Sequence, residues 1–223
     1  MILRFPEQRG NDRPGLVQAG RAIEEESFRI IDKEIGEHPF APGEWQIVRR
    51  VIHSTGDFDY ARQIRISANA VESGLKALRD GARIYVDTRM IRAGLAPWRL
   101  EWFGNDVVTP VESLGSQEAA VKAGITRTQA AFRSCAGSLD DSVIAIGNAP
   151  TALREIVRLI EEDGVRPALV IGVPVGFVQA EESKAALWQL ESQPSIAVLG
   201  RKGGSPVAVA IVHALLELAK TGQ

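Results

Sequence analysis

The sequence predicts an α/β protein, a three-layer α/β/α sandwich around a mostly parallel, doubly wound sheet. After residue 142, three short apolar segments each lead through a glycine-containing turn into an amphipathic helix. The apolar segments are residues 143–147, 168–173 and 196–200, and the helices after them are residues 152–162, 180–191 and 207–220. Strands and helices that alternate in this way form parallel strands joined by right-handed crossovers. Helices then cover both faces of the sheet.

The first part of the chain supplies further helices and strands to the same layers. Apolar residues at helical spacing mark three helices and a fourth that is broken at a glycine: residues 16–35, 44–53, 69–80 and 117–135. Short apolar or alternating runs mark three strands: residues 62–67, 84–87 and 106–111. Pro110 near the end of the third run predicts a strand close to an edge, because proline cannot donate to a central ladder.

Length and composition exclude several classes of protein. A chain of 223 residues can bury a sizeable core, and we expect one domain over residues 1–223. The net charge of -2 argues against a general nucleic-acid-binding protein. No apolar run approaches the ~20 residues of a membrane helix, and the start of the chain lacks a signal-peptide core. Cys135 is the only cysteine, so no intrachain disulfide forms and a cytoplasmic protein is expected.

The sequence indicates neither a bound metal nor a nucleotide cofactor. The three histidines, His38, His53 and His213, have no metal-ligand spacing. None of the glycine-containing turns is GxGxxG, and RKGGS does not have the order of a Walker A loop.

The same turns nevertheless favour an anionic ligand. Each turn directs backbone N–H groups of a helix N-terminus toward one edge of the sheet, where carboxylates bind as readily as phosphates. Arg201, Lys202 and Lys184 lie in or just after these turns. Together they predict a polyanionic ligand at this edge, although each cation by itself is more typical of a solvated surface.

His53 is the chemical centre of the segment RRVIHSTGD, residues 49–57. Arg50 lies three residues before His53 and Arg49 four before, so the three side chains project to one side of the last helical turn. A histidine that titrates near neutrality is suited to proton transfer at physiological pH. The alternative is structural, with His53 only hydrogen-bonding the frayed helix end or Asp57.

Two other polar residues also have both a functional and a structural interpretation. Ser27 falls on the apolar stripe of the first helix, where it either faces a ligand or bonds back to the carbonyl of Ile23. Asp87 follows a short apolar strand, a position where ligands bind in α/β sheets. Capping the next helix is the commoner role of such an aspartate.

Four segments, IHSTGD, IGNAPTAL, GVPVGFVQAEESK and GRKGGS, occur in this order. Together they closely resemble the precorrin-8X methylmutase family of cobalamin biosynthesis. The resemblance extends from the helix that carries Ser27 to the last helix. It implies an isomerase that moves a methyl group from C-11 to C-12 of precorrin-8X or cobalt-precorrin-8, giving hydrogenobyrinate or cobyrinate. The migration is formally a 1,5-sigmatropic shift and needs no cofactor.

The resemblance also implies which residues form the site. The histidine of the family falls on His53, which would protonate or hydrogen-bond the macrocycle as acid and base. The substrate-contacting serine and arginine of the family fall on Ser27 and Arg50, and a further arginine falls on Arg127 within GITRT. Both arginines would bind carboxylates and Ser27 a polar substituent. Loop position adds two more substrate-binding candidates, Asp87 and Asn148.

The implied partners are a tetrapyrrole substrate and a second copy of the chain, with no nucleic acid and no membrane. In the homodimer that the resemblance implies, sites near the subunit interface would let Arg127 serve the partner's pocket. A noncatalytic tetrapyrrole-binding or handover protein would use the same carboxylate-binding rim without turnover. A nucleotide-dependent oxidoreductase is a third interpretation, against which the missing GxGxxG and ribose-binding acid count. The sequence leaves open whether the substrate carries cobalt.

Overall fold

A computed structural model describes residues 14–113 and 115–222 of the chain, which divides into two compact units, residues 1–38 and 39–223. The described part of the first unit contains the helix α1 (Pro14–Ile35). The single domain expected over residues 1–223 stays a prediction. No helix of the described residues is long and apolar enough to cross a membrane. The start of the chain, for which no signal peptide is predicted, lies outside the described residues.

The second unit contains the sheet and the remaining described helices. Its strands are β1 (Ile64–Ile66), β2 (Ile84–Val86), β3 (Val107–Val108), β4 (Val143–Ile146), β5 (Leu169–Gly172) and β6 (Ser195–Val198). Its α-helices are α2 (Pro42–Thr55), α3 (Tyr60–Gln63), α4 (Ala70–Arg79), α5 (Arg89–Gly94), α6 (Pro97–Leu100), α7 (Ser116–Ala123), α8 (Arg127–Ser134), α9 (Pro150–Glu162), α10 (Ala180–Gln189) and α11 (Ser205–Thr221). Most of these bounds follow the predicted segments within a few residues. The short helices α3, α5 and α6 were not predicted, and α3 includes residues 62 and 63 of the first predicted strand.

The strands form one sheet in the order β1-β6-β5-β4-β2-β3. β1 pairs antiparallel with β6, and every other pairing is parallel. β3 lies at an edge, as Pro110 predicts. The strand order reverses between β2 and β4, because the chain leaves β2 toward β3 and then returns to the other side. In doubly wound sheets the crevice outside the carboxyl ends at such a reversal is the usual place for a ligand.

Helices cover both faces of the sheet, which confirms the predicted three-layer α/β/α fold. On one face, Ile144 and Ile146 of β4 join a hydrophobic core with Phe132 of α8, Leu153 of α9 and Leu187 of α10. On the other face, α4 and α11 pack against β4 and β5, and α2 packs against α11. Successive strand residues point to opposite faces, so strands covered on both sides are apolar throughout. This explains the uninterrupted apolar runs in the sequence.

Candidate functional site

The helix α2 carries the predicted catalytic histidine. Its buried side is formed by apolar residues, among them Val48 and Ile52. Gly56 ends the helix in the left-handed conformation, with φ of 64°, and donates its N–H to the carbonyl of Ile52 at 2.8 Å. Glycine adopts this φ without a steric penalty, so the segment HSTG stops the helix one turn after Arg50. His53 is consequently exposed on the last turn.

A cavity of about 340 Å³ lies between α2, α5 and α11. Its lining residues are Arg50, His53 and Ser54 of α2, Met90 and Gly94 of α5, and Ser205, Pro206, Val209, Ala210 and His213 of α11. α5 approaches α11 closely, because a Cβ at Gly94 would come within 2.8 Å of the Val209 side chain. The structure thus brings Arg50 and His53 together, as predicted, above a largely apolar floor.

His213 is the third titratable residue of this pocket. Its Nε2 accepts the backbone N–H of Ala96 at 3.0 Å, and its Nδ1 lies 3.4 Å from Nη1 of Arg99. Burial, together with the charges of Arg99 and Arg50, lowers the pKa of His213 to about 4. Arg99 is itself held by Glu217 at 2.7 Å. His213 is therefore a neutral pocket residue at physiological pH that fixes the start of α6.

We expect the stability of the protein to fall in mild acid because of His213. Its pKa drops from 6.5 in the unfolded chain to about 4 in the folded one, so between these values the unfolded state binds the extra proton. The contribution of the neutral His213 to the free energy of unfolding is fully present above pH 6.5. It is lost as the pH falls toward 4, by up to about 3 kcal/mol. Urea unfolding of the parent and of His213→Gln at pH 7 and pH 4.5 checks this. An equal acid loss in both proteins would show that His213 is not responsible.

Asp87 occupies the crevice at the reversal of strand order. It is 3% exposed, and its carboxylate accepts the backbone N–H groups of Gly147, Asn148 and Ala149 at 3.0, 2.8 and 2.6 Å. Burial raises the pKa of this carboxyl, and the three backbone donors oppose that shift. Asp87 thus holds the loop after β4. The structural alternative considered above, capping of the next helix, falls instead to Thr88, whose hydroxyl accepts the N–H of Ile91 in α5 at 3.2 Å. A direct contact of Asp87 with a ligand stays a prediction, as does one of the exposed Asn148.

Of the predicted substrate-binding residues, Asp87, Asn148 and Arg127 do not line this pocket, and Ser27 belongs to the first unit. Ser27, in the first unit, donates its hydroxyl to the carbonyl of Ile23 at 2.8 Å, the structural alternative for this residue. Arg127 begins α8, on the opposite face of the sheet, where it donates to the Ser116 hydroxyl at 3.0 Å and to the Val111 carbonyl at 2.7 Å. Their contacts with substrate stay predictions.

The three cations of the glycine-containing turns have different surroundings. Lys184 is fully buried and donates to the carbonyl of Lys202 at 2.8 Å. Lys202 is paired with Asp57 and Asp59. Arg201 is exposed, with its guanidinium 5.4 Å from the ring centre of Phe177. Among the three, Arg201 is the cation that is placed to meet a ligand from solvent.

Two larger pockets elsewhere on the second unit have no histidine among their described lining residues. One of about 440 Å³ lies among residues of α8, α9 and α10, around the buried Glu155. Burial would raise the pKa of Glu155, but hydrogen bonds from Arg133 and Arg158 outweigh it and lower the value to about 2. These charges compensate one another in a structural network. Within residues 14–113 and 115–222, no three His, Cys, Asp or Glu side chains are grouped to hold a metal ion.

Sequence reasoning missed the contribution of α11 to the pocket. Pro206, Val209 and His213 recur at spacings of three and four, so they lie on one side of this helix. The stripe that these residues form begins directly after the turn GRKGGS, where an anionic ligand is predicted. It therefore could have been used to predict His213 near the ligand. The apolar neighbours of His213 in the sequence concealed it.

Known proteins resemble this chain over most of its length. Residues 22–218 match the family described as CbiC: Precorrin-8X methylmutase. A cobalt-precorrin-8 methylmutase from Leptospira interrogans is 46% identical over 210 residues, 91% of this chain and 96% of that protein. A precorrin-8X methylmutase from Pseudomonas aeruginosa is 36% identical, covering 89% of this chain and 96% of that one. The crystal structure of a precorrin-8X methyl mutase from Thermus thermophilus is 50% identical, with a TM-score of 0.84, over 91% of this chain and 97% of that one.

Proposed function

Because the chain belongs to the precorrin-8X methylmutase family, we propose that the pocket between α2, α5 and α11 binds a tetrapyrrole and that His53 is its acid and base. Membership makes the protein a methylmutase, an isomerase of cobalamin biosynthesis. The observation that carries the assignment of the site is the shared position of Arg50 and His53 in one cavity beside an apolar floor.

Each wall of the pocket suits one part of such a substrate. The macrocycle is broad and apolar, and Met90, Pro206 and Val209 offer it an apolar surface. Its peripheral carboxylates need cations, and Arg50 presents a guanidinium that can bind a carboxylate with two hydrogen bonds. Because His213 is neutral, Arg50 and His53 are the residues that we propose to interact with the negative charge of the substrate in this cavity.

The chemistry requires a proton donor rather than a redox group. The bond from the methyl group to C-11 breaks as the bond to C-12 forms, and the conjugated double bonds of the macrocycle shift at the same time, so no net oxidation or reduction occurs. A proton given by His53 to the macrocycle, or a hydrogen bond from it, favours the tautomer in which this shift is allowed. The proton returns to the imidazole when the product forms, and His53 is ready for another turnover.

We place the site of one subunit next to a second copy of the chain. The cavity of about 340 Å³ is near the lower end of ligand pockets, ~300–1,000 Å³, and a tetrapyrrole with many carboxylates extends beyond it. Met90, at the pocket, is 66% exposed, and Trp98 on the neighbouring α6 is 50% exposed. Apolar surface beside an incomplete pocket favours a homodimer, in which Arg127 of one subunit would reach the substrate of the other. Ser27, Asp87 and Asn148 complete the proposed contacts, in a cytoplasmic enzyme.

The visible absorption spectrum of the purified protein incubated with precorrin-8X, and separately with cobalt-precorrin-8, tests this function. We expect at least one of the two spectra to change to that of hydrogenobyrinate or cobyrinate. Comparison of the two rates identifies whether cobalt is present in the preferred substrate. Tight binding of both compounds with conversion of neither would contradict the enzyme and favour the noncatalytic binding protein.

A further inference from the structure

Lys202 links the segment that follows His53 to the turn that precedes α11. Its Nζ lies 2.5 Å from Oδ2 of Asp57 and 2.8 Å from Oδ2 of Asp59. The two aspartates come four and six residues after His53, just beyond the end of α2. A single ammonium thus bridges two carboxylates at the point where the chain leaves the catalytic helix.

The turn that carries Lys202 is itself anchored on the sheet. The carbonyl of Lys202 accepts a hydrogen bond from the buried Nζ of Lys184 at 2.8 Å. Gly204 donates its N–H to the carbonyl of Val173, just after β5, at 2.8 Å. Gly203 adopts φ of 152° and lies against that same carbonyl, where a Cβ would collide. Contacts with Lys184 and Val173 therefore fix the backbone of the turn. The side chain of Lys202 extends away from them to the aspartates that follow α2.

This link joins two walls of the pocket. α2 supplies Arg50 and His53, and α11 supplies Ser205 and Pro206 directly after the anchored turn. A partly exposed ion pair contributes little to the stability of a protein, so stability is a weak reason for the arrangement. A misplacement of a catalytic group by about 1 Å can lower a rate about 10²-fold. The position of His53 is therefore a stronger reason for the ion pair than stability.

We propose that Lys202 is a positioning residue, which holds the end of α2 and thereby His53 at a fixed distance from α11, and that Lys184 supports it. The inference rests on the proposed role of His53. It assigns to the lysine of GRKGGS and to the lysine of GFVQAEESK a task other than binding substrate carboxylates. In both motifs the ammonium group is engaged within the protein.

Replacing Lys202 with methionine tests the proposal, because the variant keeps the length of the side chain and removes its charge. We expect kcat to fall about 10- to 100-fold with little change in KM. Lys202→Arg, which can still bridge the two carboxylates, should recover most of the rate. Lys76→Met is a matched control, because it removes an exposed Lys76–Asp80 pair of 2.7 Å on α4 and should leave kcat unchanged.

A second measurement does not depend on turnover. Backbone amide hydrogen exchange of residues 57–60 should be faster in Lys202→Met than in the parent, and equally fast in Asp57→Asn/Lys202→Met. If the parent converts neither tetrapyrrole, the proposed function fails while the exchange data still decide whether the link exists. Parent-like kcat and exchange in Lys202→Met would overturn the inference. A large rise in KM would also overturn it, since Lys202 would then bind substrate directly.

Discussion

Replacing His53 with alanine is expected to lower kcat of the methyl migration by about 10²- to 10⁴-fold, the range for loss of a general acid or base. Binding of the tetrapyrrole should persist, because Arg50 and the apolar floor of the pocket are unchanged. Stability should also change little, since His53 is exposed on the last turn of α2. Single-turnover conversion, followed by visible absorption with ligand bound in excess of the dissociation constant, separates the chemical step from binding.

Rescue by a small molecule sharpens this experiment. Imidazole added to His53→Ala can occupy the space left by the side chain and supply the missing proton, so it should restore part of the rate in a pH-dependent way. Conversion at the parental rate by His53→Ala would exclude the acid and base role. Failure of the variant to bind the tetrapyrrole would show that His53 binds substrate rather than moving a proton.

Replacing Asp87 with alanine is expected to give the largest loss of stability among the candidate site residues. Its carboxylate accepts three backbone N–H groups of the loop after β4 and is almost completely buried. Each donor left without a partner costs about 1–3 kcal/mol when water cannot replace the acceptor. Because Asn148 is exposed and water can partly replace its bond, we expect a total of about 3 kcal/mol in the free energy of unfolding.

A matched control separates this burial effect from the loss of any aspartate. Asp140 is exposed and accepts one backbone N–H, that of Arg166, at 2.7 Å. Asp140→Ala should therefore cost only about 1 kcal/mol in urea unfolding. Similar losses in the two variants would contradict the structural role of Asp87, and a stable Asp87→Ala that no longer binds tetrapyrrole would make Asp87 a ligand contact.

The position of Asp87 explains why the pocket lies to one side of the usual crevice. At the reversal of strand order between β2 and β4, the N–H groups that could receive an anionic ligand already receive the carboxylate of Asp87. The cavity with His53 lies beside this point, where Ser205 at the start of α11 is 3.2 Å from the Thr88 hydroxyl. The fold thus fills its crevice internally, and the proposed substrate site lies on the face formed by α2, α5 and α11.

The sequence by itself determined the elements whose causes are local. Apolar runs and glycine-containing turns predicted the parallel strands from β4 to β6, since a strand buried on both faces has no polar side to show. Helical spacing predicted where α2 ends, within two residues, and with it the common side of Arg50 and His53. The four sequence motifs, from IHSTGD to GRKGGS, identified the precorrin-8X methylmutase family, which the match over residues 22–218 confirms.

Only the tertiary structure decided which of the polar residues meet. Lys202 pairs with Asp57 across 145 positions of the chain, Asp87 meets Gly147 across 60, and His213 meets Ala96 across 117. Spacing along the chain says nothing about such pairs, because they form where the sheet topology brings separate loops and helices together. Whether a charged side chain faces a ligand or a partner within the protein depends on those distant neighbours, since burial favours compensation of each charge.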